Sequence, residues 1–138
     1  MMEEIIDFLN KCRTFYVGTA DENNHPKVRP FGFVMEWSGK PAFCTGTMKS
    51  VYRQLQRNPY VEICAFMPET MQWMRISGKV KFTDEIAARR KVLEVMPDLK
   101  KIYKSEENPL LTCFYIDEGE AAFYSFTSMN EPAKVIKI

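Results

Sequence analysis

The residues best suited to chemistry lie in three short stretches. The first, FCTGTMKSVYRQLQRNP (residues 43–59), runs from an apolar segment into a turn carrying Thr45, Gly46, Thr47, Lys49 and Ser50, and then into a short basic helical pattern. Where a strand passes through small residues into a helix, backbone N–H groups without partners point outward along the positive end of the helix dipole, and an anion can satisfy them. Thr45, Thr47 and Ser50 add hydroxyl donors, Gly46 admits close backbone approach, and Lys49 supplies a full positive charge. Phosphate binding is the chemistry such a turn could perform. The plainer alternative is a strand, a polar turn and an N-capped surface helix with a solvated lysine. The GxxK pattern lacks the spacing of a nucleotide P-loop.

The second stretch, KVRPFGF, puts Arg29 directly before Pro30 inside a segment that reads as a strand. Arginine is rarely buried without a partner, so an inward Arg29 needs an anion or a polar ligand, whereas an outward one could pair with Glu36 or Asp84. Pro30 removes a ladder donor and suits an edge or the lip of a groove. The third stretch, WMRISG, places Trp73 and Arg75 two residues apart, hence on one face of a strand. A tryptophan there is as readily a core residue as a ligand contact.

The rest of the composition narrows the chemistry by exclusion. The 138-residue chain, with 46% hydrophobic and 27% charged residues, matches one globular domain spanning residues 1–138. Its net charge of +1 offers no broad attraction for nucleic acid or anionic membrane. Cys12, Cys44, Cys64 and Cys113 are spaced 32, 20 and 49 residues apart, which suits neither a zinc site nor a redox dithiol, so all four are expected as reduced core residues. His25 is the only histidine and sits in the polar turn DENNHP, where solvation is expected. No apolar run approaches the ~18 residues that cross a bilayer, and the acidic start MMEEIIDFL does not read as a secretory signal, so a cytoplasmic location is expected.

The elements that must position these residues follow from periodicity and turn chemistry. Helical spacing predicts helices over 2–11, 49–57 and 84–96, the second stopped by Asn58-Pro59 and the third ended or bent by Pro97. Strands are predicted over 14–20, 28–37, 41–46, 60–67 and 71–83. A closing hairpin is predicted from 111–116 and 121–127, joined through Asp117-Glu118-Gly119-Glu120. Six or seven strands that mostly follow one another through short turns favour a mainly β fold with flanking helices, an antiparallel sheet closed into a barrel.

Taken together and in order, FYVGTADENNHPKVRPFGF, FCTGTMKSVYRQLQRNPYVEIC, WMRISGKV and EAAFYSF resemble the FMN-binding split-barrel family related to pyridoxamine 5'-phosphate oxidase, over nearly the whole chain. The resemblance implies an antiparallel split β-barrel with FMN as cofactor. By position, it sets Arg29, Pro30 and Phe31 along the isoalloxazine and ribityl chain. It sets Thr45, Gly46, Thr47, Lys49 and Ser50 around the phosphate, with Val51 and Gln54 on the helix beside the cofactor. Trp73 and Arg75 resemble positions supplied near the flavin, from the same chain or the facing one. Lys49 lies further from Gln54 than the corresponding lysine does in oxidases of pyridoxamine phosphate. No arginine follows Arg90 and no histidine follows His25, so the basic C-terminal residues with which those oxidases hold substrate are missing, which argues against that substrate.

The resemblance therefore implies a flavoprotein, an oxidoreductase of flavin-reductase type working with a small-molecule electron donor or acceptor. The alternatives are a flavin or deazaflavin binder without turnover and, from another class, a small barrel binding single-stranded nucleic acid. A homodimer with flavin sites at its interface is expected, because a flat apolar ring needs walls on both sides. Phe31, Phe33, Met35, Trp37, Met71 and Trp73 also exceed what one small core would bury.

Overall fold

The computed structural model describes residues 1–138. Helix α1 (Met2–Cys12) precedes β1 (Phe15–Ala20), β2 (Pro26–Phe31), β3 (Met35–Trp37) and β4 (Lys40–Gly46). Helix α2 (Ser50–Arg57), β5 (Tyr60–Met67), β6 (Gln72–Thr83) and α3 (Ile86–Val95) follow. A 3-10 turn (Pro97–Leu99) then runs into α4 (Lys100–Tyr103), and β7 (Leu111–Ser125) and β8 (Lys134–Lys137) end the chain. All eight strands join one antiparallel sheet in the order β2-β1-β5-β6-β7-β4-β3, with β8 added to β7. The sheet curls into the expected split barrel.

Three expectations are corrected. The 28–37 run is two strands, because the chain leaves β2 after Phe31 and re-enters as β3 at Met35; with the four-residue β8 added and the two hairpin strands fused into β7, the count is eight. The closing hairpin is absent, since β7 is one continuous 15-residue strand. Its DEGE segment forms a bulge, the partner of Lys79 being Glu118 and that of Val80 being Ile116, which leaves Asp117 unpaired. Gly119 is not a turn residue: it faces Gly78, and a Cβ on it would lie 2.4 Å from the Ser77 carbonyl oxygen, so the two backbones cross at a distance only glycine allows. The cysteines are all free, yet only Cys113 is buried and the other three are half-buried.

Strand β7 is what splits the barrel. Its first half pairs with β4 and its second half with β8, while β6 follows it throughout. The main core fills the barrel with Phe15, Val17, Phe43, Ile63, Ile76 and Phe114 among others, closed at one end by Ile5 and Leu9 of α1. Phe15, Phe31, Phe43 and Phe114 meet with ring centroids 5.4–6.5 Å apart in edge or tilted contacts. Alternation sends Ala42, Cys44, Leu111 and Cys113 to the other side of β4 and β7, into a second core under Ala88, Val92 and Leu93 of α3. Phe33 and Met35, expected as surface apolar residues, are buried in this second core.

Candidate functional site

Arg29 is on the inner side of β2. It pairs across the ladder with Val17, one of the inward residues of β1, and Phe31 two places on is anchored in the aromatic core. Pinned at the barrel rim, its guanidinium donates to the Val17 carbonyl at 3.0 Å, to Thr19 Oγ1 at 2.7 Å and to Gln54 Oε1 at 2.8 Å. The Thr19 hydroxyl passes its own hydrogen to Gln54 Oε1 at 2.6 Å, tying β1, β2 and α2 together. Glu36 and Asp84, the alternative partners, play no part. Every acceptor on Arg29 is neutral, so its position is fixed while its charge is uncancelled, and burial lowers its pKa.

The turn after β4 is tied down by its backbone. The Thr47 N–H donates to the Leu110 carbonyl at 2.9 Å and the Lys49 N–H to the Gly46 carbonyl at 3.0 Å. Helix α2 starts at Ser50 behind Lys49 with no side-chain cap, so the N-capped helix of the plainer alternative is not what forms. The backbone N–H groups of Ser50 and Val51 are left without protein partners, as is the Lys49 ammonium. A Cβ on Gly46 would meet the Met48 thioether at 2.4 Å, so the glycine makes room for a neighbouring side chain.

Between these two groups lies a cavity of about 280 Å³. Of the expected site residues, Arg29, Pro30, Phe31, Thr45, Lys49 and Val51 line it. Gln54 is joined to it through Arg29, and Gly46, Thr47 and Ser50 flank it in the chain without lining it. Two cations and no carboxylate line the cavity, and Phe33, Met96, Leu99 and Ile102 add apolar wall. Sequence reading missed Thr19, although a threonine at an inward position of FYVGTA was a usable signal. It also missed the 96–103 wall, for which KKIYKS carries none.

Trp73 and Arg75 are not brought to this cavity within the chain. They share the outer face of β6, as their spacing required. Arg75 is paired with Glu62 at 3.0 Å and lies over the Tyr124 ring at 5.9 Å. Trp73 stacks on Tyr124 with centroids 4.3 Å apart and lines a second, larger groove of about 770 Å³ beside α1. That groove mixes Glu4, Asp7 and Glu131 with Lys11 and Lys134, the last already paired with Glu4. Its size exceeds that of the Arg29 cavity, but its three carboxylates outnumber its two lysines, so the smaller cavity is the better seat for an anion.

A model of the pyridoxamine 5'-phosphate oxidase family matches residues 1–120. Among solved structures, a NimC/NimA family protein from Clostridium acetobutylicum superposes with TM-score 0.89 at 32% identity, covering 99% of this chain and 93% of that one. A pyridoxamine 5'-phosphate oxidase-related, FMN-binding protein from Nostoc punctiforme has TM-score 0.74 at 16% identity, over 99% and 95% of the two chains. General stress protein 26 from Bacillus anthracis has TM-score 0.77 at 14% identity, over 99% and 98%; these last two likenesses speak to the fold. No curated protein matches by sequence. With most of its length matched, the chain belongs to the pyridoxamine 5'-phosphate oxidase family.

Proposed function

We propose that the protein binds FMN in the Arg29–Lys49 cavity and works as an FMN-dependent oxidoreductase with a small-molecule electron donor or acceptor. One observation carries this reading: a cavity with two cations, no acid and unpartnered backbone donors at its rim. The donor set suits a phosphate monoester, and the apolar wall beside it suits a flat ring. Arg29, Lys49 and Thr45 would hold the phosphate from the cavity wall, and Thr47, Ser50 and the free N–H groups of Ser50 and Val51 would reach it from the flanking turn, along the helix dipole. Pro30 and Phe31 would border the ring and ribityl chain. Gln54 and Thr19 hold the guanidinium in place. Bound flavin supplies the hydride or electron chemistry, and the protein sets orientation, access and potential.

The cavity is at the lower edge of the roughly 300–1,000 Å³ usual for such ligands, so one chain supplies a seat and one wall. The second wall in this proposal is a second copy, packed through the outer sheet face. There Tyr16, Cys64 and Arg75 stand in one cross-strand row, with Phe66, Trp73 and Tyr124 in another. Tyr16 is 51% and Phe66 40% exposed, and the Arg75–Glu62 pair gives the face both charges needed for a self-complementary two-fold contact. Trp73 and Arg75 would then reach the partner's flavin. A cytoplasmic location accords with four free cysteines; no helix is long and apolar enough to cross a membrane.

The test is direct. Purified protein should carry a flavin absorption spectrum, or gain thermal stability when FMN is added; colourless protein with no gain would overturn the proposal. Reduced bound flavin should reoxidise faster with a suitable acceptor than without any. An unchanged rate across acceptors would leave binding and remove the oxidoreductase.

A further inference from the structure

Tyr103 ends α4, and the fold fixes it firmly. It is 6% exposed and packs in the second core with Ala88, Val92 and Leu111. Its backbone carbonyl accepts hydrogen bonds from Asn108 Nδ2 at 2.8 Å and from the Ser105 N–H at 2.9 Å. Met96, Leu99 and Ile102, which precede it, line the same cavity. The side-chain hydroxyl is the exception to this good order. It has no hydrogen-bond partner in the protein, and unlike Arg89 Nε, which is buried without one, it is open to the cavity that Tyr103 lines.

The free hydroxyl faces the cavity where a ligand would be. Tyr103 lines the cavity together with Arg29, Thr45 and Lys49, and its oxygen is 3.0 Å from the point a Cβ on Gly46 would occupy. The absence of that Cβ is what lets the hydroxyl reach the turn between β4 and α2. Burial pushes the phenol up from its ordinary pKa, with the nearby Cys44 acting in the same direction, so the group stays protonated and can donate. Its surroundings are rich in donors and cations, so an acceptor-rich anion is the complement.

We propose that the Tyr103 hydroxyl donates a hydrogen bond to the anionic group held between Arg29 and Lys49, which makes the 96–103 segment part of a phosphate-monoester site. This deepens the FMN proposal and rests on it for the identity of the monoester. The role is that of a binding residue, fixed by Asn108 and by the second core.

Tyr103→Phe removes one oxygen atom and keeps the packing. Its affinity for FMN should fall by about tenfold, the scale of one hydrogen bond to a charged group, while its affinity for riboflavin stays within about twofold. Equal affinities of variant and wild type for FMN, or equal losses for both flavins, would overturn the proposal. Fluorotyrosine at position 103 reads the same contact with the hydroxyl in place. Its fluorine resonance should move on addition of FMN and not of riboflavin, and a resonance indifferent to FMN would overturn the proposal too. If wild type bound no flavin, the FMN proposal would fall and the hydroxyl would still be tested with inorganic phosphate. Phosphate should then raise the melting temperature of wild type more than that of Tyr103→Phe, and equal shifts would count against Tyr103.

Discussion

Two arginines on the same sheet have opposite surroundings. Arg29 faces inward at the rim, gripped by a carbonyl, a hydroxyl and an amide oxygen, all neutral. Arg75 faces outward, 3.0 Å from Glu62 and over an aromatic ring, with both members of the pair about half exposed. Neutral acceptors fix a guanidinium without cancelling its charge; a carboxylate cancels it. The field left over at Arg29, joined by that of unpaired Lys49, favours an anion, and the Arg75 end has no such field.

The largest contrast is in thiol chemistry. Cys44 lines the Arg29 cavity, and burial pushes its thiol up to about 12. The thiolate is the nucleophile, so at pH 8 it should alkylate roughly a thousandfold more slowly than a free cysteine, recovering only as the pH climbs toward that value. Cys64 stands across the ladder from Arg75; burial raises its pKa too, but the arginine opposes the rise, so it should label first. Peptide mapping after timed iodoacetamide treatment gives the order, and faster labelling at Cys44 would mean that the cavity end is open to water.

Replacing Arg29 comes next. Arg29→Ala should weaken FMN by about 1.5 to 3 kcal/mol in a binding titration, and Arg29→Lys should restore part of that, since a point charge cannot reproduce the fork held by Thr19 and Gln54. Full rescue by lysine would reduce the arginine to charge alone. Lys49→Ala should cost about 1.5 kcal/mol for FMN and little for riboflavin, because an exposed ammonium addresses only the phosphate. Arg75→Ala should cost less than about 1 kcal/mol and act on both flavins alike, as expected for an exposed pair whose charge is already matched. A phosphate-selective loss at Arg75 larger than that at Lys49 would reverse the comparison.

The sequence was most legible where local chemistry and tertiary structure agree. YVEICAFM alternates cleanly and forms β5 with the expected ends, and Asn58-Pro59 stops α2 where a residue before proline must leave the helical region. Reading failed where one residue type serves two backbones. Asp117–Glu120 has turn composition, yet long-range pairing with β6 overrides it, and Gly119 serves a close crossing with Gly78 instead of a reversal. At the site, Arg29 and Lys49 were visible as cations, although Glu36 and Asp84 stood as possible partners of Arg29. Thr19 was readable as a threonine at an inward position of FYVGTA but was passed over, and the 96–103 wall was invisible because tertiary packing of α3 and α4 alone brings it there.

Phosphate recognition by the Arg29–Lys49 cavity is read by a paired calorimetric titration of wild type with FMN and riboflavin at low and high salt. FMN should bind at least about tenfold more tightly at low salt, and the gap should narrow as salt screens the exposed Lys49. Equal affinities for the two flavins at every salt concentration would contradict phosphate recognition there.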